Sequence, residues 1–499
     1  MRGWHILLAA TAGGLMHLGL APYHLRLAAF AAILLYAALL AGCARPAQAF
    51  KLALAFGTGL FGAGVSWIYV SIHIHGAVPG PLAMLFTGGF VLVLSLLFAL
   101  PWTLLPLLAQ TRNRRLLAFP AFWYLGEWLR GWLFTGFPWA YAGYTQIEGP
   151  LRGWLPVIGA LGTGALLAGI AALLVYATTV RSGATIGRVL ATGLGIGILS
   201  LYLAERDWTE PMEPAIPATL VQPDIPLRDK WDPARAAQII AVLEANSRWQ
   251  PGLLIWPEAA IPYVGGAQAS SYLAQLQTRA AESDTAMFTG VLSRERGQYF
   301  NSLIGLGTAQ RVYHKRRLVP FGEYVPLESW LRGSMHFFDL PMSVIVRGPP
   351  GQAPLPFRYR GQQYQIAPAI CYEIAYTRLV RQLAADAQIL LTISNDAWFG
   401  TSIGPWQHMQ IAQARAAENR KPVLRVTNNG ISGLIGPQGK IRATLPQFTR
   451  TQMQVTVTPQ QGQTPYTRLG NWPGLALCAT ILLCLSLRRT KTPPTKSQA

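Results

Sequence analysis

The sequence contains few cysteines and few charged residues. Its four cysteines, with no pairing pattern among 499 residues, do not make a disulfide framework. Charged side chains account for only 12% of the chain, whereas hydrophobic side chains account for 51%. This balance is unusual for a soluble protein, and it predicts that much of the chain lies in lipid.

Acidic residues are the scarcer charged class, with 21 Asp and Glu against 41 Lys and Arg and a formal net charge of +20. Most of the surplus lies outside residues 205–471, where 15 Lys and Arg face only two acids, Glu127 and Glu148. Within 205–471 there is no basic run interleaved with exposed aromatic residues, the pattern that suits a phosphate backbone. We therefore expect no nucleic-acid partner.

Long apolar runs are plentiful, and eight of them approach the roughly 20 residues that a membrane-spanning helix needs. They cover residues 6–20, 27–42, 52–70, 81–108, 116–134, 154–180, 189–204 and 472–487. The first run could also be a signal peptide, but "GLAPYHLR" is a weak cleavage site and a second apolar run follows almost at once. We predict a polytopic α-helical membrane bundle of about eight helices, with seven in residues 1–204.

The lysines and arginines of the loops predict how these helices are oriented. With the N-terminus in the cytoplasm, twelve Lys and Arg fall on the cytoplasmic side, including those of the tail "RRTKTPPTK". The short outer loops hold only Arg26 and Arg152, with Arg130 near a helix end. Because cytoplasmic loops of membrane proteins are enriched in basic residues, this asymmetry places residues 205–471 outside the cytoplasm.

Residues 205–471 are predicted to form a separate α/β domain of about 260 residues, followed by the last membrane helix and basic tail in 472–499. Helix-like stretches cover residues 234–248 and 406–419. Nine short β-rich runs recur, namely "ATLVQPDI", "GLLIWPEA", "TAMFTGVL", "NSLIGLG", "RVYHKRRLVP", "YQIAPAICYE", "ILLTISND", "VLRVTNNG" and "SGLIGPQG".

One cysteine, Cys371, follows the apolar strand-like run "QIAPAI". A lone cysteine there is usually a small buried hydrophobe, whereas a reactive one requires a base, a nearby cation and a donor for the oxyanion. Two other strand ends carry such groups: Glu258 in "LLIWPEAAIP", and Lys315 with Glu323 in "RVYHKRRLVPFGEYVP". Each alone could be a solvated loop residue or part of a surface patch. Only the ordered set of Glu, Lys and Cys is specific.

The contexts of Glu258, Lys315 and Cys371 resemble the Glu-Lys-Cys triad of the nitrilase superfamily. Within it, the chain is similar to the apolipoprotein N-acyltransferases, the membrane-embedded branch. The similar stretches are "VQPDIPLRDKWDP", "WPEAAIP", "YHKRRLVPFGEYVP", "CYEIAY" and the long segment from "ISNDAWFG" to "IGPQGKI". Together with the eight helices they cover nearly the whole chain. One departure is Thr401, where an acidic residue is expected after "WFG", and it concerns a loop outside the triad.

This resemblance implies an α-β-β-α sandwich for residues 205–471 and roles for particular residues. Glu258 would be the general base, Lys315 the cation that stabilises the oxyanion, and Cys371 the nucleophile. The residues that would support these three or engage the substrate are Trp231, Glu323, Tyr372 and Glu373.

The implied reaction is an N-acylation that needs no metal and no other cofactor, and the sequence has neither a P-loop nor a zinc-ligand spacing. A fatty acyl chain would pass from a membrane phospholipid, through a cysteine thioester, to the α-amino group of the N-terminal diacylglyceryl-cysteine of an apolipoprotein. The expected location is the bacterial inner membrane, with the catalytic domain facing the periplasm. The expected partners are the phospholipid donor, the diacylated apolipoprotein and the membrane, and we expect a monomer.

Two other functions fit parts of the sequence. A membrane-anchored nitrilase-type amidohydrolase would use the same triad, but it would need neither seven leading helices nor the long match around Trp398. A transporter or receptor with a ligand-binding outer domain would not depend on Cys371. The scarcity of ionisable residues in the helices also disfavours a coupled transporter.

Several polar and aromatic features have no fixed assignment. The aromatic-rich segments 134–146 and 329–342 could contact lipid or form a lid, or belong to an ordinary interfacial belt. Glu127 and Arg130 fit either a polar path or an internally satisfied pair. His73 and His75 are too few to make a metal site without further ligands.

Overall fold

The computed structural model describes residues 2–320, 322–324 and 344–487. Its chain divides into two compact units. As far as they are described, the segments Met1–Ser66, Leu85–Arg206 and Leu469–Ala499 form a helical unit, and Trp67–Met84 with Asp207–Arg468 form an α/β unit. The candidate lid 329–342 and the basic tail from residue 488 onwards lie outside the described residues.

A helix overlaps each of the eight apolar runs that the sequence contains. The helices are Gly3–His17, Arg26–Ala41, Pro46–Gly64, Gly80–Trp102, Leu105–Leu108, Arg112–Arg130, Leu155–Val180, Gly183–Glu205 and Trp472–Leu487. Within the described residues, three stretches are long and apolar enough to cross a membrane, namely Gly80–Leu108, Arg152–Val180 and Gly183–Glu205. A bundle with several membrane-spanning helices is thus consistent with the structure, and the number eight stays a prediction.

The run 52–70, expected as one helix, is broken. Helix Pro46–Gly64 is followed at an angle of 57° by the stretch Ile68–His75, and the two would make a fourth span if counted together. The break lies beyond a glycine-rich stretch of low helix propensity. After it, the Trp67 indole donates to Gln407 (3.1 Å) and the Ser71 hydroxyl to the Trp398 carbonyl (2.8 Å), so the second part packs within the α/β unit.

Small residues and aromatic rings determine the packing of the helical unit. A Cβ on Gly13 would lie 2.0 Å from the Phe56 carbonyl oxygen, so helices Gly3–His17 and Pro46–Gly64 approach backbone to backbone. A cluster of rings fills the space beside this crossing, with neighbouring centroids 4.2 to 6.4 Å apart. Its members are Tyr36, Phe56, Phe98, Trp102, Phe119 and Trp123.

Glu127 and Arg130 hold the loop that follows their helix. Glu127 accepts a hydrogen bond from the Ala142 N–H (2.8 Å), and Arg130 donates to the carbonyls of Phe137 (3.0 Å) and Trp139. Both side chains are buried. Among the described residues, Glu127 Oε2 and Arg130 Nε have no hydrogen-bond partner, so the two groups are satisfied only in part, by main-chain groups of the loop.

The α/β unit contains two six-stranded sheets within its described residues. The strands are β1 Glu210–Pro211, β2 Ile216–Gln222, β3 Gly252–Ile255, β4 Thr285–Glu295, β5 Gln298–Gly307, β6 Val312–His314, β7 Leu355–Tyr359, β8 Gln362–Ile370, β9 Ile389–Ser394, β10 Val423–Thr427, β11 Gly433–Ile435, β12 Ile441–Thr444, β13 Thr451–Val457 and β14 Gln460–Gln461. The strand order is β13-β2-β3-β4-β5-β6 in one sheet and β12-β11-β10-β9-β8-β7 in the other, and β1 pairs with β14. Pairing is parallel from β2 to β4 and from β8 to β10.

Helices cover the outer face of each sheet. On the first sheet, Leu276 of helix Gly266–Glu282 packs in one apolar cluster with Trp256 and Met287, and helix Ala236–Ala245 contributes to the same cluster. On the second sheet lie helices Thr377–Ala384 and Gly404–Asn419, and the short helix Pro465–Leu469 follows β14. The sheets contact each other through rings such as Phe288 and Phe357, whose centroids are 6.1 Å apart. The predicted α-β-β-α layering is confirmed.

The parallel strands place polar and reactive side chains at one edge of each sheet, because the carboxyl ends of these strands meet there. Glu258 follows β3, Cys371 follows β8, and Asn395 follows β9. The loop after β3 lies directly on β4: the Ala260 N–H donates to the Gly290 carbonyl (2.8 Å) and the Gly290 N–H to the Pro257 carbonyl (3.2 Å). A Cβ on Gly290 would lie 2.6 Å from the Pro257 oxygen and 2.7 Å from the Glu258 Cα.

Gly290→Ala should therefore displace the loop that carries Glu258. We expect the α/β unit to lose about 1–3 kcal/mol of stability. The added methyl group would clash with main-chain atoms, which cannot rotate aside as a side chain can. Thermal unfolding of the purified full chain in detergent measures this. Gly187→Ala, in a helix where an added Cβ meets no atom within 4 Å, is the control and should not lower the melting temperature, since alanine favours the helix more than glycine does. Equal melting temperatures for the two variants would contradict the prediction.

Candidate active site

Glu258, Lys315 and Glu323 form one buried cluster of charges. The Lys315 ammonium lies 3.1 Å from Glu258 Oε1 and 2.9 Å from Glu323 Oε1, between the two carboxylates. The second oxygen of each carboxylate accepts a main-chain N–H, from Asn395 for Glu258 (2.9 Å) and from Val319 for Glu323 (2.8 Å). Three residues placed at the site from sequence alone are thus in direct contact.

Asn301, which the sequence interpretation missed, completes this cluster. Its side-chain Nδ2 donates to Glu258 Oε1 (2.7 Å) and to Glu323 Oε1 (2.9 Å). Its main-chain carbonyl accepts the main-chain N–H of Lys315 (2.8 Å). It lies on β5 and is fully buried. The one signal in the sequence is an amide at the start of the apolar run "NSLIGLG", since a buried polar side chain needs a partner.

The cluster keeps Glu258 and Lys315 charged at neutral pH. Burial alone would raise the pKa of the Glu258 carboxyl, but the Lys315 ammonium and the Asn301 amide bring that pKa below its ordinary value. Burial opposes the charge of Lys315, yet Glu258 and Glu323 raise the pKa of the ammonium well above its usual range. Glu258 is therefore an ionised carboxylate able to accept a proton, and Lys315 is a permanent cation.

Cys371 lies on a sharp turn at the end of β8. Its φ of 53° is in the left-handed region, which a residue with a side chain adopts only when its surroundings enforce it. A 3-10 turn, Cys371–Ala375, begins at this residue. The cysteine is partly exposed, whereas Glu258 and Lys315 are buried.

A second buried network, also unassigned from sequence, holds the peptide of Cys371. His408 Nε2 lies 3.1 Å from the Cys371 carbonyl oxygen, and since a carbonyl only accepts, the ring N–H donates. His408 Nδ1 lies 3.0 Å from Asp396 Oδ1, and Arg425 donates to Asp396 Oδ2 at 2.6 Å. Burial would raise the pKa of Asp396, but Arg425 and His408 lower it to about 2, so the carboxylate stays ionised.

Glu373 joins the lysine side of the site to the cysteine side. Its Oε1 accepts the N–H groups of Arg316 (2.7 Å) and Arg317 (3.1 Å), which follow Lys315 in the chain. Its Oε2 accepts the N–H of Ile370 (2.9 Å), the residue before Cys371. The Tyr313 hydroxyl donates to both oxygens, at 3.0 and 3.1 Å. Glu373 is fully buried, and its contacts are those of a positioning group.

Trp231 and Tyr372 pack against residues near the site. Trp231 packs on an apolar group that includes Ala259, the residue after Glu258. The Tyr372 ring meets the Tyr376 ring edge-on at 5.2 Å, and the Arg317 guanidinium lies 5.0 Å from the Tyr376 ring centre. The use of the Tyr372 N–H as an oxyanion donor stays a prediction.

The two histidines of "SIHIHG" take part in ordinary packing. His73 Nδ1 lies 2.7 Å from the Val78 carbonyl oxygen, and the His75 ring meets Trp398 edge-on at 5.9 Å. In the part of the chain that the structure describes, no group of three or more His, Cys, Asp and Glu side chains is placed to hold a metal ion.

The Cys371 thiol rests in its protonated form. Burial and the Glu258 carboxylate raise its pKa well above the ordinary value, and Lys315 offsets only part of this. A protonated thiol beside an ionised carboxylate and an ammonium has the groups needed to attack a carbonyl carbon: a nucleophile, a base for its proton and a cation for the oxyanion.

Known proteins share both parts of the chain. Residues 12–173 match the family described as apolipoprotein N-acyltransferase N-terminal domain, and residues 218–466 match the family described as carbon-nitrogen hydrolase. The chain is 42% identical over 499 residues to an apolipoprotein N-acyltransferase of Pseudomonas paraeruginosa, covering 98% of this chain and 96% of that protein. It is 42% identical to one of Azotobacter vinelandii (97% and 95% covered) and 38% identical to one of Vibrio vulnificus (97% of each).

Alkylation by iodoacetamide should report the raised pKa of the Cys371 thiol. Since the thiolate is the reactive form and becomes the major form only above that pKa, we expect the rate at Cys371 to keep rising beyond pH ~8.5, the ordinary cysteine pKa. Peptide mapping by mass spectrometry separates Cys371 from Cys43, Cys478 and Cys484. Glu258→Gln removes the nearby negative charge and should speed alkylation at a given pH. A plateau below pH ~8.5 in the unmodified protein would refute the protonated resting thiol.

Glu373→Gln should weaken the connection between the lysine loop and the cysteine turn. The new NH₂ group faces N–H donors, and a buried donor left without an acceptor costs about 1–3 kcal/mol. Thermal unfolding and the circular dichroism of the folded variant check this. Tyr313→Phe removes only one donor from the same carboxylate and should cost less. The interpretation fails if Glu373→Gln is no less stable than Tyr313→Phe.

Proposed function

The chain belongs to the apolipoprotein N-acyltransferase family, and we propose that its N-acylation of apolipoproteins passes through an acyl group held on Cys371. The donor in this proposal is a membrane phospholipid, and the acceptor is the α-amino group of a diacylglyceryl-modified N-terminal cysteine. The observation that carries it is the buried Lys315 between two carboxylates, beside a cysteine on a strained turn.

In the first half-reaction, Glu258 takes the proton of the Cys371 thiol while the sulfur bonds to the ester carbonyl carbon. The carbonyl electron pair moves onto oxygen. Within the described residues the Lys315 ammonium hydrogen-bonds to two carboxylates, which leaves its third N–H for this oxyanion, with the Tyr372 N–H as a second donor. When the C=O bond re-forms, the lysophospholipid oxygen leaves and takes the proton from Glu258. A thioester remains.

In the second half-reaction, the acceptor amine attacks the thioester and gives a proton to Glu258. Collapse of the tetrahedral intermediate expels the Cys371 sulfur, which regains the proton from Glu258. The two halves make a ping-pong cycle with one base, one cation and one nucleophile. Because an amide is far less reactive than a thioester, the second half runs in one direction.

A membrane-anchored amidohydrolase is the second candidate, since water in place of the amine would use the same groups. Similarity to N-acyltransferases along 98% of the chain favours transfer over hydrolysis. We further propose seven membrane helices in residues 1–204, a catalytic domain in 205–471 that faces the periplasm, and an eighth helix with a cytoplasmic tail in 472–499. In this proposal the protein is a monomer of the bacterial inner membrane.

Intact mass spectrometry tests the acyl intermediate. Incubation of the purified protein with phospholipid should add the mass of one fatty acyl group at Cys371, and a diacylated lipopeptide should discharge it. Cys371→Ser should form no such thioester. Glu258→Gln should slow its formation by about 10²–10⁴-fold, the usual contribution of a general base. Rapid discharge by water alone would instead identify a hydrolase, and a persistent absence of adduct would exclude both enzymes.

A further inference from the structure

A second lysine lies beside the charged cluster of the site. Lys230 is in the loop between β2 and helix Ala236–Ala245, directly before Trp231, and is only 4% exposed. Its ammonium donates to the main-chain carbonyl oxygen of Glu258 at 3.0 Å. The ring centre of Trp231 lies 6.0 Å from the same nitrogen. Burying an ammonium is costly, so its position requires nearby negative charge.

The balance of charge in the site explains that position. Glu258 (6% exposed) and Glu323 (5%) supply two negative charges, whereas Lys315 (1%) supplies one positive charge. A buried site with this excess would resist any further negative charge, because Coulomb interactions are strong in a low dielectric. Yet thiol attack must place negative charge first on sulfur and then on the acyl oxygen. With Lys230 the cluster holds two carboxylates and two ammonium groups.

We propose that Lys230 is a positioning residue and the second cation of this cluster, holding the main chain of Glu258 and balancing the second carboxylate while negative charge develops at Cys371. This inference rests on the proposed function of the site. It assigns Lys230 no proton transfer and no direct contact with substrate.

The ionisation of Lys230 agrees with this role. Burial lowers the pKa of the ammonium, and the charges of Glu258 and Cys371 act against that, so that the pKa lies at about 8. Glu258 faces Lys230 from the loop after β3, and Cys371 faces it from the turn after β8. The lysine is therefore mostly charged at neutral pH and loses its charge above about pH 8.

Another buried lysine supplies a matched control. Lys421 is 1% exposed and donates to the Gln460 carbonyl at 2.7 Å, and burial likewise lowers its pKa to about 8. The charge acting on it is that of Asp386, outside the cluster. Lys421→Met thus removes a buried lysine with the same kind of main-chain hydrogen bond and leaves the charges of the site unchanged.

The test compares alkylation of Cys371 by iodoacetamide at pH 7.5 in the full-length protein, read by peptide mapping. Lys230→Met should slow it about 3- to 10-fold, since a tenfold change corresponds to one pKa unit of the thiol. Lys421→Met should lower the melting temperature but leave the alkylation rate unchanged. Lys230→Arg, which keeps the charge, should recover most of the lost rate.

Acyl-adduct formation from phospholipid gives a second measurement. It should fall above about pH 8 in the wild type as Lys230 loses its charge, and this fall should disappear in Lys230→Met. Equal alkylation rates for Lys230→Met and wild type would overturn the inference. If Lys230→Met does not fold, an alkylation rate for Lys230→Arg far below wild type would do so. Failure of the proposed function has another signature, namely a wild-type protein that forms no acyl adduct while Cys371 still reacts with iodoacetamide.

Discussion

The ammonium of Lys315 between the carboxylates of Glu258 and Glu323 is the interaction on which the rest of the site depends. Removing such ions from water costs several kcal/mol each, and loss of one partner from a buried pair costs about 3–5 kcal/mol. The cluster is tolerated only because every oxygen has further donors. Asn301 serves both carboxylates, and main-chain N–H groups of Asn395 and Val319 serve the remaining oxygens. Segments from both sheets are thereby held around the Lys315 ammonium, since Asn301 lies on β5 and Asn395 follows β9.

The main chain of Cys371 is held by different groups from those that set the protonation of Glu258. Arg425 donates to Asp396, Asp396 contacts the ring of His408, and His408 donates to the carbonyl of Cys371. Cys371 itself has a φ in the left-handed region. Glu373 then links the two halves, since it binds main-chain groups beside both Lys315 and Cys371. Glu373, the residue next but one to the cysteine, therefore connects the segment after Lys315 with the turn that carries Cys371.

Sequence alone could predict those parts of the protein that are marked by a hydrophobic pattern or a motif within a short stretch of the chain. The apolar runs and the nine β-rich segments are visible in consecutive residues, and Glu258, Lys315 and Cys371 each stand in a short motif of their own. The strands it missed include β7, β12 and β13, each at the edge of a sheet. In β12 and β13, polar residues interrupt the apolar pattern. Asn301, His408 and Lys230 were not assigned roles because a polar side chain shows its burial only when distant segments come together. Likewise, the contact that Trp67 makes after the break is with Gln407, far along the chain.

The contact made after that break also limits when the α/β unit can assemble during synthesis of the chain. The indole of Trp67 bonds to Gln407, and these residues are 340 positions apart. At a synthesis rate of about 5–20 residues per second, the ribosome needs roughly 20–70 s to reach the second after completing the first. During that interval the segment after the break has left the ribosome before its partner exists. The α/β unit thus includes a segment from the first fifth of the sequence, Trp67–Met84. Assembly of this unit cannot finish until translation has passed Gln407.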